Sequence, residues 1–137
     1  MSSTSAAQLT AALEVALRKS AVVWLTPQGE DTAHPTCLVW AVFSPRGGPP
    51  GTLFVACGGT EQRIDGLVDG VVVDVVVARP GARSALTTLR CTATLVEPDG
   101  AVTAALVAAR RNAHPGWTEV FALDLFAAAA AGGEAGR

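Results

Sequence analysis

Residues Val71-Val72-Val73-Asp74-Val75-Val76-Val77 form a run in which only Asp74 is not valine. β-branched side chains lose freedom in a helix and pack well on a pleated surface, so this run is a strand. Its near-continuous apolarity predicts cover on both faces, which requires neighbouring elements on each side. Asp74 is the exception, because a buried carboxylate is costly without a partner. It is expected either to face solvent at a barrel rim or to pair with Arg79, Arg83 or Arg90 in an interface or cavity wall.

The neighbours the run needs are legible along the chain. Val22-Val23-Trp24-Leu25-Thr26 reads as a first strand, closed by the turn cluster from Pro27 to Asp31. A longer strand is expected from Ala33 to Phe43, with Pro35 near its start, where proline is tolerated. Residues Ser44 to Gly51 form a loop rich in proline and glycine, followed by a strand from Thr52 to Ala56. Beyond the valine run, Leu86 to Val96 is a long strand centred near Cys91, and Thr118 to Phe126 is the last. Two amphipathic helices frame these strands. The first starts near Ala6, where Ser5 and Gln8 have capping-box spacing, and shows Leu9, Ala12, Leu13, Ala16 and Leu17 on one face. The second covers Val102 to Arg111 and ends through Asn112, His114, Pro115 and Gly116. Six strands with turn signals and few helices predict a mainly β protein, a closed or nearly closed antiparallel barrel.

With 137 residues the chain makes one domain, from residue 1 to 137, with 1–4 and 127–137 expected as flexible tails. Half of the residues are hydrophobic and 16% are charged, which excludes a disordered chain. The net charge of −2 gives no broad reason to bind nucleic acid or an anionic membrane. No apolar run reaches membrane-spanning length, and the N-terminus lacks a secretion signal, so a cytoplasmic protein is expected. Cys37, Cys57 and Cys91 lie far apart in predicted strands, which fits free thiols in a reducing compartment and neither a disulfide framework nor a metal site.

No dinucleotide fingerprint, phosphate-binding Walker loop or serine elbow is present. His34 and His114 each precede a proline and lack nucleophile or carboxylate neighbours, and no carboxylate pair suits acid–base catalysis. Two segments remain as site candidates. Cys57-Gly58-Gly59-Thr60-Glu61-Gln62-Arg63 follows a strand, and Ile64, Leu67 and Val68 recur at helical spacing up to Gly70. This reads either as an ordinary connection or as a phosphate-binding turn that opens a short helix, with backbone amides and Arg63 facing the anion. The other segment is Pro35 to Trp40 on the second strand, where Trp40 offers a ring face for stacking or for the core.

In order and spacing these elements resemble the pyridoxamine 5′-phosphate oxidase-like, FMN-binding split-barrel superfamily, in particular its small actinobacterial members of the flavin/deazaflavin oxidoreductase type. The resemblance runs from about Leu9 to Phe126. It rests on Ala21 to Thr26, on His34-Pro35-Thr36, on Leu53-Phe54-Val55 leading into Gly58 to Arg63, on Gly66-Leu67 with the valine strand, and on Arg90 to Glu97. It implies a six-stranded split barrel that dimerises with itself and holds FMN, or the deazaflavin F420, at the subunit interface. By the same resemblance Thr36, Cys37, Leu38, Val39 and Trp40 would line the flavin ring. Cys57, Gly58, Thr60, Gln62 and Arg63 would contact the ribityl chain and phosphate. The chain departs from the oxidases themselves, having only Arg63 near the turn and Glu61 beside it. A hydride-transferring oxidoreductase acting on a small molecule is the leading expectation. A cofactor-binding or interaction protein without turnover is the alternative, and an unrelated small barrel without cofactor is the third.

Overall fold

A computed structural model describes residues 12, 15–18, 22–44, 51–78, 85–110 and 116–125. Among the described residues seven strands and one fully delimited helix follow in chain order: β1 (Val22–Pro27), β2 (Cys37–Trp40), β3 (Val42–Ser44), β4 (Thr52–Cys57), β5 (Val72–Ala78), β6 (Ala85–Val96), α1 (Gly100–Arg110) and β7 (Glu119–Asp124). All pairings are antiparallel, in the order β2-β1-β5-β6-β7-β4-β3. Because β2 runs into β3 through Ala41, the two ends of that order are joined by the chain itself. The sheet is thereby a nearly closed barrel.

The seventh strand comes from the expected second one. Residues 33–36 are not in a strand, and the remainder breaks at Ala41 into β2, which pairs with β1, and β3, which pairs with β4. The ladder is interrupted at Ala41, where the partner changes from β1 to β4. β6 makes the same transfer without a break. It pairs with β5 as far as Thr92 and with β7 from Ala93 onward.

Alternation of side chains fills the barrel interior. Val23 and Leu25 of β1, Val73, Val75 and Val77 of β5, and Phe121 and Leu123 of β7 are all buried there. The valine run is covered on one face only: Val72 is exposed and Asp74 and Val76 are half-buried on the outer side. Expected burial on both faces is corrected by the register, which places the even-numbered residues on the outer surface of the barrel. Ala16 and Leu17, from the helical residues 15–18, join the same core. A second apolar cluster lies outside the barrel, where Val102 and Leu106 of α1 pack on Ala56 and Val120. Asp99 starts that helix by accepting the Val102 amide on its side chain at 2.8 Å and the Thr103 amide on its carbonyl at 2.9 Å.

The helix start near Ala6, residues 45–50 of the second loop, Arg79 and Arg83, Asn112 to Pro115 and both tails lie outside the described residues. Among the described residues no helix is long and apolar enough to cross a membrane.

Candidate functional site

The short helix expected after the glycine turn does not form; residues 58–70 are a succession of turns. Single bonds such as Leu67 N–H to Ile64 C=O (3.2 Å) and Val71 N–H to Val68 C=O (3.1 Å) replace a helical ladder. Positive φ at Gly58, Gly59, Gly66 and Gly70 bends the chain between them. Ile64 and Leu67 are buried against the barrel core, so their three-residue spacing reflects one turn dipping twice into the core. With the helix goes the helix N-terminus that was expected to favour an anion.

This segment is a strap along the outer edge of β2. The Gln62 side chain accepts the Trp40 backbone amide on Oε1 at 3.1 Å and donates from Nε2 to the Trp40 carbonyl at 2.9 Å. Nε2 also donates to the Ala56 carbonyl at 2.9 Å. Further along, Gly66 lies so close to His34 that a side chain there would run into the imidazole. The two segments singled out from sequence are therefore in contact. The contact is made by Gln62 itself, whose carboxamide takes the place of a strand residue opposite Trp40.

The glycine turn closes on the start of the last strand. Gly58 N–H donates to Gln62 C=O, Thr60 N–H to Gly116 C=O and Glu61 N–H to Gly58 C=O, each at 3.0 Å. Thr118 N–H returns a bond to Cys57 C=O at 3.0 Å. A Cβ on Gly58 would strike Thr118 Oγ1, and one on Gly59 would strike the Gly116 carbonyl. These partners account for the two glycines from within the chain. The sequence held no signal for Gly116 and Thr118 as partners of the turn, because contacts between distant segments leave no local pattern.

The other expected site residues divide by face. Val39 points into the core and Cys57 is buried. Thr36 shares a 2.6 Å hydrogen bond with Thr26 through their hydroxyls. Cys37 is half-buried, its thiol 3.7 Å from the Leu25 carbonyl, and burial together with the nearby Asp65 pushes its pKa up. Trp40 packs in the outer cluster with Trp117, ring centroids 6.3 Å apart and planes at 59°. Arg63 is exposed. Leu38 has the most exposed side chain of β2, at 55%, and lies opposite the exposed Trp24 of β1.

Backbone direction makes Leu38 the notable residue. Along an antiparallel pair, successive residues alternately exchange hydrogen bonds with the partner and turn them away. Trp40 turns its N–H and C=O toward Gln62, so Leu38, two residues earlier, turns its own pair to the same free side of β2. Among the described residues nothing bonds to that pair. The edge between Gln62 and His34 thus presents one donor and one acceptor side by side.

Asp74 is resolved among its expected partners. Its carboxylate receives Arg90 Nε at 2.8 Å and Nη2 at 3.1 Å, and Gln28 Nε2 lies 3.3 Å away. The pair sits on the outer face of β5 and β6, which are in register at these residues. Burial, with Glu119 adding to it, pushes the Cys57 thiol up to about 11; burial, then Asp124 and Asp74, pushes Cys91 up to about 12. Among the described residues no three His, Cys, Asp or Glu side chains are grouped to hold a metal ion. An open cleft of about 540 Å³ lies where β6 ends and β7 begins, with Glu97, Trp117 and Glu119 in its wall, and none of the expected site residues lines it.

These features define a split β-barrel with a free strand edge beside a glycine strap. No protein-family model matches the chain, and no curated protein matches it significantly. Among solved structures, a Listeria innocua protein described as "Putative Pyridoxamine 5'-phosphate oxidase" is similar, with a TM-score of 0.62 and 14% identity, over 84% of this chain and 91% of that one. The likeness is one of fold: the chain has the split-barrel architecture of pyridoxamine 5′-phosphate oxidase-like proteins.

Proposed function

We propose that this protein binds a flavin-type ring along the free edge of β2, with FMN or F420 as the cofactor. The observation that carries the reading is the unpaired N–H and C=O of Leu38. A flat heterocycle with an adjacent carbonyl and N–H complements such a pair as a neighbouring strand would. The remaining ring contacts fall to Cys37 and Trp40 of the same strand and to Thr36 just before it, and Arg63 is the strap's only cation. When bound, such a cofactor supplies hydride transfer, here to a small molecule. What this chain contributes is the edge that orients the ring and the barrel that holds the edge rigid. A homodimer belongs to the same proposal. The exposed Val22, Trp24 and Leu38 on adjoining strands support it, because a second copy would cover them.

A second reading, cofactor binding without turnover, is favoured by the site chemistry. Burial, with Asp65 adding to it, pushes the Cys37 thiol up and away from a thiolate, and the carboxylate of Asp74 is engaged by Arg90. Titration of the purified chain with FMN and with F420, followed by their absorbance and fluorescence, tests the proposal. Saturable binding of either supports it, and reoxidation of the bound, reduced cofactor by a small molecule separates enzyme from carrier. Binding of neither at micromolar concentration removes it. Sedimentation showing only monomer removes the dimer.

A further inference from the structure

We infer that the β2 edge reads only the ring of its ligand, a neutral lactam- or imide-bearing heterocycle, and that the glycine strap is a structural clasp which takes no phosphate. The inference rests on the ring reading above and narrows its ligand.

A phosphate cradle needs several backbone N–H groups converging on open space, usually with a helix N-terminus behind them. Here the amides of Gly58, Thr60 and Glu61 donate within the chain, two of them inside the turn and one to Gly116. No helix follows. The room that glycine leaves is filled by Thr118 and Gly116, so no ligand oxygen is needed to explain Gly58 or Gly59. The side chain of Gln62 is fully engaged by Trp40 and Ala56. Charge argues the same way, since Arg63 stands between Glu61 and Asp65, two carboxylates against one guanidinium. A phosphate dianion gains little from such a strip. The expectation that Cys57, Gly58, Thr60 and Gln62 hold a ribityl phosphate therefore does not fit the hydrogen bonds these residues make.

What the edge does offer is neutral: the Leu38 donor and acceptor, with an exposed leucine side chain beside them. That combination selects for ring edge and apolar surface and is indifferent to a phosphate tail.

Riboflavin and FMN differ by the phosphate alone, so parallel titrations of the full chain, followed by flavin fluorescence, test the inference. Equal dissociation constants, within about threefold, are expected, and Arg63→Ala should leave their ratio unchanged. A preference for FMN of about tenfold or more, equivalent to about 1.4 kcal/mol, that disappears in Arg63→Ala would overturn it. If neither flavin binds, the ring reading falls and the ligand class falls with it. The clasp is then still decided by amide NMR shifts of Gly58 to Arg63 under inorganic phosphate. No saturable shift upholds the clasp, and a saturable shift overturns it.

Discussion

The carboxamide of Gln62 meets both backbone groups of Trp40, accepting its N–H at 3.1 Å and donating to its carbonyl at 2.9 Å. A side chain thus supplies what a neighbouring strand would supply, at one position, and leaves the next outward-facing residue, Leu38, unpaired. The seam between β2 and the strap is closed at Trp40 and open at Leu38. Stability and the candidate site are consequences of the same contact.

Gln62→Ala removes the partner of three backbone groups, since Nε2 also reaches Ala56. Leaving part-buried polar groups unmatched should lower stability by about 1 to 3 kcal/mol. Urea denaturation of the variant checks this, and a midpoint equal to that of the wild type would show that water replaces the carboxamide without loss.

Leu38→Pro deletes the outward N–H while leaving the β1 ladder intact, because proline is tolerated where the strand amide faces away from its partner. Flavin binding should fall by about tenfold or more while the melting temperature changes little. Leu38→Ala keeps the amide and should lose much less binding than the proline variant. Wild-type affinity in the folded proline variant would place the ring elsewhere.

Gly59 and Gly70 both have positive φ, at 58° and 89°, yet differ in surroundings. Alanine at either position meets backbone strain of roughly 1 to 2 kcal/mol. At Gly59 it also meets the Gly116 carbonyl, whereas at Gly70 nothing lies within 4 Å. Gly59→Ala should therefore cost clearly more than Gly70→Ala in a denaturation series. Equal losses would mean that the clasp with Gly116 yields without resistance.

Burial raises the thiols of Cys57 and Cys91 from 9.0 to about 11 and about 12. Because the native state holds these protons more tightly than the unfolded chain, their contribution is fully present below pH 9.0. It is lost as pH rises from 9.0 through about 11 and 12. Denaturation midpoints should decline over that window, and the decline should be shallower in Cys91→Ala than in the wild type. At neutral pH a thiol reagent should modify half-buried Cys37 before the other two. Simultaneous modification of all three in the native protein would contradict the burial order.

Some of this was legible in the sequence. The strands of the valine run, of Val22 to Thr26 and of Thr52 to Ala56, the helix after Pro98, and the barrel class all follow from local patterns of β-branching, alternation and turn residues. The short helix was misread because Ile64 and Leu67 bury at a three-residue spacing that a turn produces equally well. The break at Ala41 was invisible because nothing in an apolar run marks the point where a strand changes partners. Arg90 could be named as a partner of Asp74 among three arginines, but only the register of β5 against β6 selects it.

By itself the sequence determined that this chain forms strands which close on an apolar interior, because periodicity and propensity act within a few residues. The tertiary structure alone decided what those strands leave open. Gln62 reaches Trp40 across 22 residues, and the glycine turn finds Gly116 and Thr118 from the far end of the chain. Hydrogen bonds of that kind depend on which distant segments the barrel brings together. They convert a turn that reads as an anion cradle into a clasp, and they leave the outward backbone of Leu38 as the exposed edge.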